Sequence, residues 1–483
     1  MRAGSALNDM PKLYVKMKAN PLFDGDRVLP PNFSQNGNII EGWVYGDSTF
    51  NANGGLVEDR FNFDLPDGDF FFPGDVFNYY IEAQDNQMGD IGTTLIPADT
   101  SGFYNLEANL DYPIDFTVRA LPTLNSTTPG DQPKVLFWQD ASDRGGQNEW
   151  FFTLGQLGYI MGQDYDMYST NGPSSGVGNG LGGRATSAQL SGYSTLLYTS
   201  SYLSTNLLAN GDFGNDPSND IQVVSNWFGQ GDKNAFMTGD DFVTGLRDAG
   251  SDGEAFVNNY FNVNYIGKDV RTLIGDQTAV VAAIPGNGVI ARVDRWIAYG
   301  GCLLINTFDA LETNAGTVRL AEFTDSSGNT GVYNYSAGSY FVNTTENARV
   351  VMMPYDFMYL YNAPGWTPPA GYDGIPARAV ILEDVLDLFG ESGGPIQIGV
   401  TPDAKLSVSN YPNPFNPTTT IKLNIPARTD VSLKVFNVRG ELVRTLVNEQ
   451  MDAGPHEIVW DGTTDQGNKV ASGVYFYETR ANG

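Results

Sequence analysis

Four carboxylates, Asp140, Asp143, Asp240 and Asp241, stand just beyond apolar runs that read as buried strands, where a sheet-based enzyme keeps its reacting groups. Two such groups in one cleft could serve as acid and base in hydrolysing a glycan or a peptide, or could hold a divalent ion through oxygen. Each also has a plainer role. Asp240 precedes DFVTGLRDAG and suits a helix N-cap, while Asp143 in SDRGGQ suits a turn, and the capping role is the preferred one. A second acidic set, Asp24, Asp26, Asp67, Asp69, Asp85 and Asp90, falls in turn clusters and could bind calcium. No segment has an EF-hand spacing, and turn aspartates commonly serve their own backbone. No other cofactor is expected.

Thiol and imidazole chemistry is scarcer. The chain has one cysteine, Cys302, in the apolar context GGCLLINTF, and one histidine, His456, in a different predicted folding unit. A reactive thiolate needs an adjacent base, so Cys–His catalysis in the middle of the chain is excluded, and His-ligated zinc with it. A single cysteine allows no intrachain disulfide and reads as a buried structural thiol. The run GNGLGG, Gly178–Gly183, satisfies the dinucleotide pattern but follows loop composition rather than a strand, so it reads as a mobile Gly/Ser loop. Trp138, Trp150, Trp227 and Trp296 fall on apolar stripes and are expected in the core.

The element that organises these groups is KVLFWQD, Lys134–Asp140, a short apolar run followed by NEWFFTLGQLGY at helical spacing. Further strands are expected at Thr195–Ser200, Asn234–Gly239, Ala279–Ile284, Cys302–Thr307 and Arg349–Pro354. Helices are expected at 146–158, 218–229, 240–249, 253–262, 290–299 and 376–390. Such alternation implies a mostly parallel sheet with helices on both faces, over residues 134–390. Residues 1–120 instead alternate strand-like runs with turns such as FFPGD and predict an antiparallel β-sandwich. Residues 121–133, LPTLNSTTPGDQP, read as a linker too poor in apolar side chains to pack, and 391–404 as a second one. Residues 405–483 predict a third, all-β domain, with Val431–Asn437 and Glu441–Val447 as a hairpin and more strands at His456–Trp460 and Val474–Thr479. The fold class is thus multidomain, α/β plus all-β.

Several stretches resemble known families. FFPGDVFNYYIEAQDNQMGD is similar to a strand–turn pattern of secreted immunoglobulin-like or fibronectin-like modules. KVLFWQD, LSGYSTLLYTS, NWFGQGDKNAFMTGDDF and ARVVMMPYDFMYL together resemble flavodoxin-like, class I glutamine-amidotransferase-like domains of secreted bacterial proteins. That family's nucleophile follows a Gly-x-Cys-x-Gly elbow, a pattern the Cys302 context lacks. The run from LSVSNYPNPFNPTTTIKLNIP to GVYFYETRANG resembles the C-terminal β-sandwich of type IX secretion cargo and the immunoglobulin-like domain of flagellar hook-capping proteins. Members of that family carry one more strand after the GVYFY segment, so the resemblance implies a fragment of a longer polypeptide, as does an N-terminus without a basic-then-apolar leader.

Composition points the same way. The 483 residues include 27 basic and 56 acidic ones, a formal charge of −29, so binding to a phosphate backbone would be repulsive and nucleic acid is excluded as a partner. No apolar run reaches membrane-spanning length. The expectation is an exported, extracellular or cell-surface protein without catalysis, serving in structure, adhesion or a filament or surface layer. Its partners would be secretion machinery, cell-surface components, or further copies joined through sandwich edges. The alternative is an exported hydrolase that uses the carboxylates Asp140 and Asp240 or Asp241.

Overall fold

The computed structural model describes all residues other than 1–6, 8, 24, 51–55, 67, 88–89, 107–111, 113–115, 125–130, 142–145, 171–177, 202, 204–206, 209–216, 276–278, 299–307, 326–327, 392–406, 412–417, 426–428, 438–440, 452–453, 471–472, 474 and 483. The chain divides into two compact units, Met1–Pro395 and Ile396–Gly483.

The larger unit begins with seven strands: β1 (Lys12–Lys18), β2 (Ser34–Asn36), β3 (Ile39–Phe50), β4 (Leu56–Phe63), β5 (Val76–Gln87), β6 (Asp90–Ile96) and β7 (Thr117–Arg119). They join into one hydrogen-bonded antiparallel sheet ordered β2-β3-β1-β5-β6, with β4 beside β3 and β7 beside β5. The expected sandwich of two separate sheets is corrected here. At 12 residues each, β3 and β5 are long enough to pair with different partners along their length, so the ladder stays continuous. In β1 the alternation of KLYVKMK buries Leu13, Val15 and Met17 on one face.

The expected parallel sheet is the other correction. Five strands do run parallel: β8 (Val135–Gln139), β9 (Tyr165–Ser169), β10 (Thr195–Thr199), β11 (Asn234–Thr238) and, near the end of the unit, β18 (Ala348–Met353). Between β11 and β18 lie β12 (Val263–Gly267), β13 (Ala279–Ala283), β14 (Arg295–Ala298), β15 (Ala310–Thr313), β16 (Val318–Phe323) and β17 (Ser336–Asn343), and β19 (Leu360–Asn362) follows β18. Four of these and β19 extend the parallel strands antiparallel into a mixed, 10-stranded sheet ordered β19-β14-β13-β16-β17-β18-β11-β10-β8-β9, while β12 and β15 pair apart. The expected helix at 290–299 is therefore a loop and β14, whose inward residues Trp296 and Ala298 alternate as a strand requires. The expected strand Cys302–Thr307 lies outside the described residues.

Helices cover the parallel half: α1 (Gln147–Gln156), α2 (Leu181–Arg184), α3 (Asp220–Phe228), α4 (Phe242–Asp248), α5 (Ser251–Phe256) with a π-helical turn at Val257–Phe261, α6 (Val270–Leu273) and α7 (Ala377–Phe389). Alternate residues of β8 face opposite layers. Leu136 and Trp138 join the cluster that includes Trp227 and Phe228 of α3, whereas Phe137 meets Trp150 of α1 at 5.0 Å. Trp138, Trp150, Trp227 and Trp296 are all buried in the core, as their positions in the sequence suggest. The head of the expected linker is also packed: Leu121 lies against the core, and Thr123 is buried and donates its N–H to Asp166 at 2.9 Å.

The smaller unit has two three-stranded sheets, one of β20 (Ser407–Tyr411), β21 (Thr419–Ile425) and β24 (Gly454–Trp460), the other of β23 (Leu442–Met451), β22 (Thr429–Asn437) and β25 (Tyr475–Asn482). Ile421, Leu423, Val431, Leu433 and Val447 form its core. The hairpin expected after Val431 is the β22–β23 pair.

Candidate functional site

In a sheet of parallel strands flanked by helices, polar groups placed beyond the carboxyl ends of the strands cannot be covered by neighbouring strands and gather at one rim. Here that rim carries Asp140 after β8, Thr199–Ser200–Ser201 at the end of β10, Asp240 and Asp241 after β11, and Asp356 after β18. Backbone hydrogen bonds tie its turns together: Asp140 N donates to Thr199 O at 2.8 Å, Ser200 N to Thr238 O at 3.1 Å and Asp240 N to Ser201 O at 2.8 Å. Ser201 and Asp241 adopt positive φ, 53° and 47°.

The carboxylates differ in what they hold. Asp140 is buried and accepts from the Tyr198 hydroxyl at 2.9 Å and the Leu208 N–H at 2.8 Å, and the charge beside that phenol pushes its pKa up further than burial alone. Asp143 lies outside the described residues. Asp240 is buried, and neither of its oxygens has a hydrogen-bond partner among the described residues. Burial, reinforced by Asp241, Asp356, Asp309 and Asp269, holds its pKa well above the usual carboxylate range. Asp241, not Asp240, is the N-cap of α4, and its side chain makes no capping bond.

Sequence reasoning missed the residue that does cap this helix. Asp309 reaches across from the segment before β15 and accepts from Val243 N at 2.7 Å, Thr244 N at 3.3 Å and Thr244 Oγ1 at 2.6 Å. Burial pushes its pKa up to about 7 despite those bonds. Asp356 accepts from Thr199 Oγ1 and from Met358 N, and burial raises it to about 6. Asp356 could have been found by the rule that located Asp240, since PYDFMYL follows a buried strand. No local signal marks Asp309, because its partner helix lies 66 residues away in sequence.

The turn aspartates are dispersed. Asp24 and Asp67 lie outside the described residues, as does the side chain of Asp90, which opens β6. Asp26 and Asp69 are exposed, while Asp85 is buried and accepts from Gly92 N at 3.2 Å. Among the described residues no group of three or more acidic, histidine or cysteine side chains could hold a metal ion. Gly178–Gly183 has a structural use. Gly182 N donates to Asp220 at 2.6 Å, and a Cβ on Gly182 or Gly183 would meet backbone of Asn219 or Gly178, so these glycines let α2 approach the start of α3. His456 lies in β24 of the smaller unit, and Cys302 lies outside the described residues.

Residues 414–482 match the FlgD Ig-like domain family. Among solved structures, FlgD from P. aeruginosa is 29% identical over 13% of this chain and 50% of its own, with a TM-score of 0.13. Truncated FlgD from the human pathogen Helicobacter pylori is 24% identical over 16% of this chain and 57% of its own, with a TM-score of 0.14. The chain thus spans about half the length of the FlgD structures it matches. No curated protein matches it, no described helix is long and apolar enough to cross a membrane, and the C-terminal unit carries an FlgD Ig-like domain.

Proposed function

We propose that the chain is an exported, non-catalytic structural protein of the bacterial cell surface, in which the C-terminal immunoglobulin-like module directs sorting or assembly and the larger unit is displayed. The match of residues 414–482 to the FlgD Ig-like domain carries this reading. FlgD proteins share this module, and its resemblance to type IX cargo domains extends the role to attachment at the outer surface. Adhesion or incorporation into a filament or surface layer is the work that suits such a display. The central sheet supports a scaffold reading. Its parallel strands lie in the order second, first, third, fourth, fifth, which is in keeping with the expected flavodoxin-like winding, and the engagement of Asp140 by Tyr198 and Leu208 weakens a paired-carboxylate hydrolase.

Deletion of residues 405–483 tests the module's role in a bacterium that has type IX machinery. The full chain is expected to be digested by protease added to intact cells, and the deleted chain to remain protected inside. Equal surface exposure of both would refute the sorting role.

A further inference from the structure

Among the described residues, neither Asp240, Asp309 nor Asp356 forms an ion pair, although the turns after β11 and β18 and one distant segment set the last two where their charge acts on Asp240. Asp309 spends its oxygens on the head of α4, and Asp356 spends its own on Thr199, Met358 and Ser201. Asp240 accepts no hydrogen bond from the described residues. It is 1% exposed, and it faces Asp241 from its own turn, Asp356 from the turn after β18, Asp309 from the segment before β15 and Asp269 from the head of α6. The charged groups next in line, Glu149 of α1 and Arg378 of α7, act on Asp356. The Ser200 and Ser201 hydroxyls beside Asp240 are likewise buried and without partners among the described residues.

We infer that Asp240 is the proton-binding centre of a switch built into the rim of the parallel strands: while it holds its proton the ends of β10, β11 and β18 stay closed, and its ionisation opens them.

A buried carboxylate without a hydrogen bond or a cation is stable only in its neutral form. Ionising it adds a charge beside Asp309 and Asp356, which give up their own protons at about 7 and about 6, while burial and these neighbours hold Asp240 well above the usual carboxylate range. Because folding raises these values above those of the unfolded chain, the stabilisation is complete below the ordinary carboxylate range of about 4 and is lost as pH rises through the folded values. The parts free to give way are the turns already held at positive φ, Ser201 and Asp241.

Hydrogen exchange on the full chain, corrected for the intrinsic pH dependence of exchange, tests this at peptides covering 199–201, 238–244 and 356–358. Between about pH 5 and about pH 8 their exchange should rise at least about tenfold, the factor carried by one unit of pKa shift. Asp240→Asn keeps the shape and cannot ionise, so it should hold these peptides protected at both values. Asp309→Ala removes the helix cap and should loosen 242–248 at both. No rise in the native chain, or an equal rise in folded Asp240→Asn, would overturn the switch; the native titration decides it even where a variant does not fold.

Discussion

Arg27 and Asp75 show what the larger unit does with a buried charge when a partner is at hand. Both side chains are almost wholly buried, two guanidinium nitrogens meet Asp75 at 2.6 and 2.9 Å, and the N–H groups of Asn20 and Phe72 donate to the same carboxylate. Both oxygens of Asp75 are engaged. Removing one member leaves the other desolvated and alone, and Asp75→Ala is expected to lower the stability of this unit by about 3–5 kcal/mol. Urea unfolding followed by tryptophan fluorescence measures this, and a loss under about 1 kcal/mol would place the pair among surface-like bridges. Asp240 is the opposite case, a carboxyl of the same size and burial with no donor among the described residues. The two look alike in sequence: FFPGD and FMTGD both set an aspartate after glycine at a turn. What separates them is whether a distant arginine arrives, and spacing along the chain holds no record of that.

At the scale of elements, legibility followed how completely a segment is buried. β8, β10, β11 and β18 lie under helices on both faces, so their sequences are apolar runs, and the expected bounds differ from the observed ones by about one residue. β16 and β17, VRLAEF and SAGSYFVN, break their apolar residues with Arg319, Glu322, Ser336 and Ser339, and they passed unnoticed, as did the antiparallel pairing they bring. In the smaller unit the strict alternation of β22 made the hairpin plain. The pair α4 and α5 shows a detail that pattern reading does not reach. A Cβ on Gly253 would overlap the carbonyl oxygen of Leu246, so this glycine sets how closely the two helices approach. Gly253→Ala should therefore cost about 1–3 kcal/mol, as overpacking does, although alanine is the better helix former. Gly267 has open space around its Cα, and Gly267→Ala serves as the control, expected within about 0.5 kcal/mol of the native chain. Equal effects from both would show that the helices can shift to accept the methyl group.

For the whole molecule the governing quantity is a formal charge of −29. Self-repulsion of that size opposes the compact state, and its reach shrinks from about 30 Å at 10 mM salt to about 8 Å at 150 mM. Raising NaCl over that range should therefore lift the midpoint of thermal unfolding by a few degrees. CaCl2 at matched ionic strength separates two origins of such a rise: an equal lift is screening, while a larger one reports calcium held by turn aspartates such as Asp26 or Asp85. The equal lift is expected, because no group of three or more carboxylates among the described residues is placed to hold a metal ion. Salt acts on the two kinds of negative charge unequally, since it screens surface pairs and hardly reaches Asp240, Asp309 and Asp356. The difference in midpoint between the native chain and Asp240→Asn at about pH 8 should thus survive at 150 mM salt while the general repulsion fades. Were that difference to vanish along with the rest, the carboxylates would have to be wet, and the closed rim from which the switch is argued would not exist.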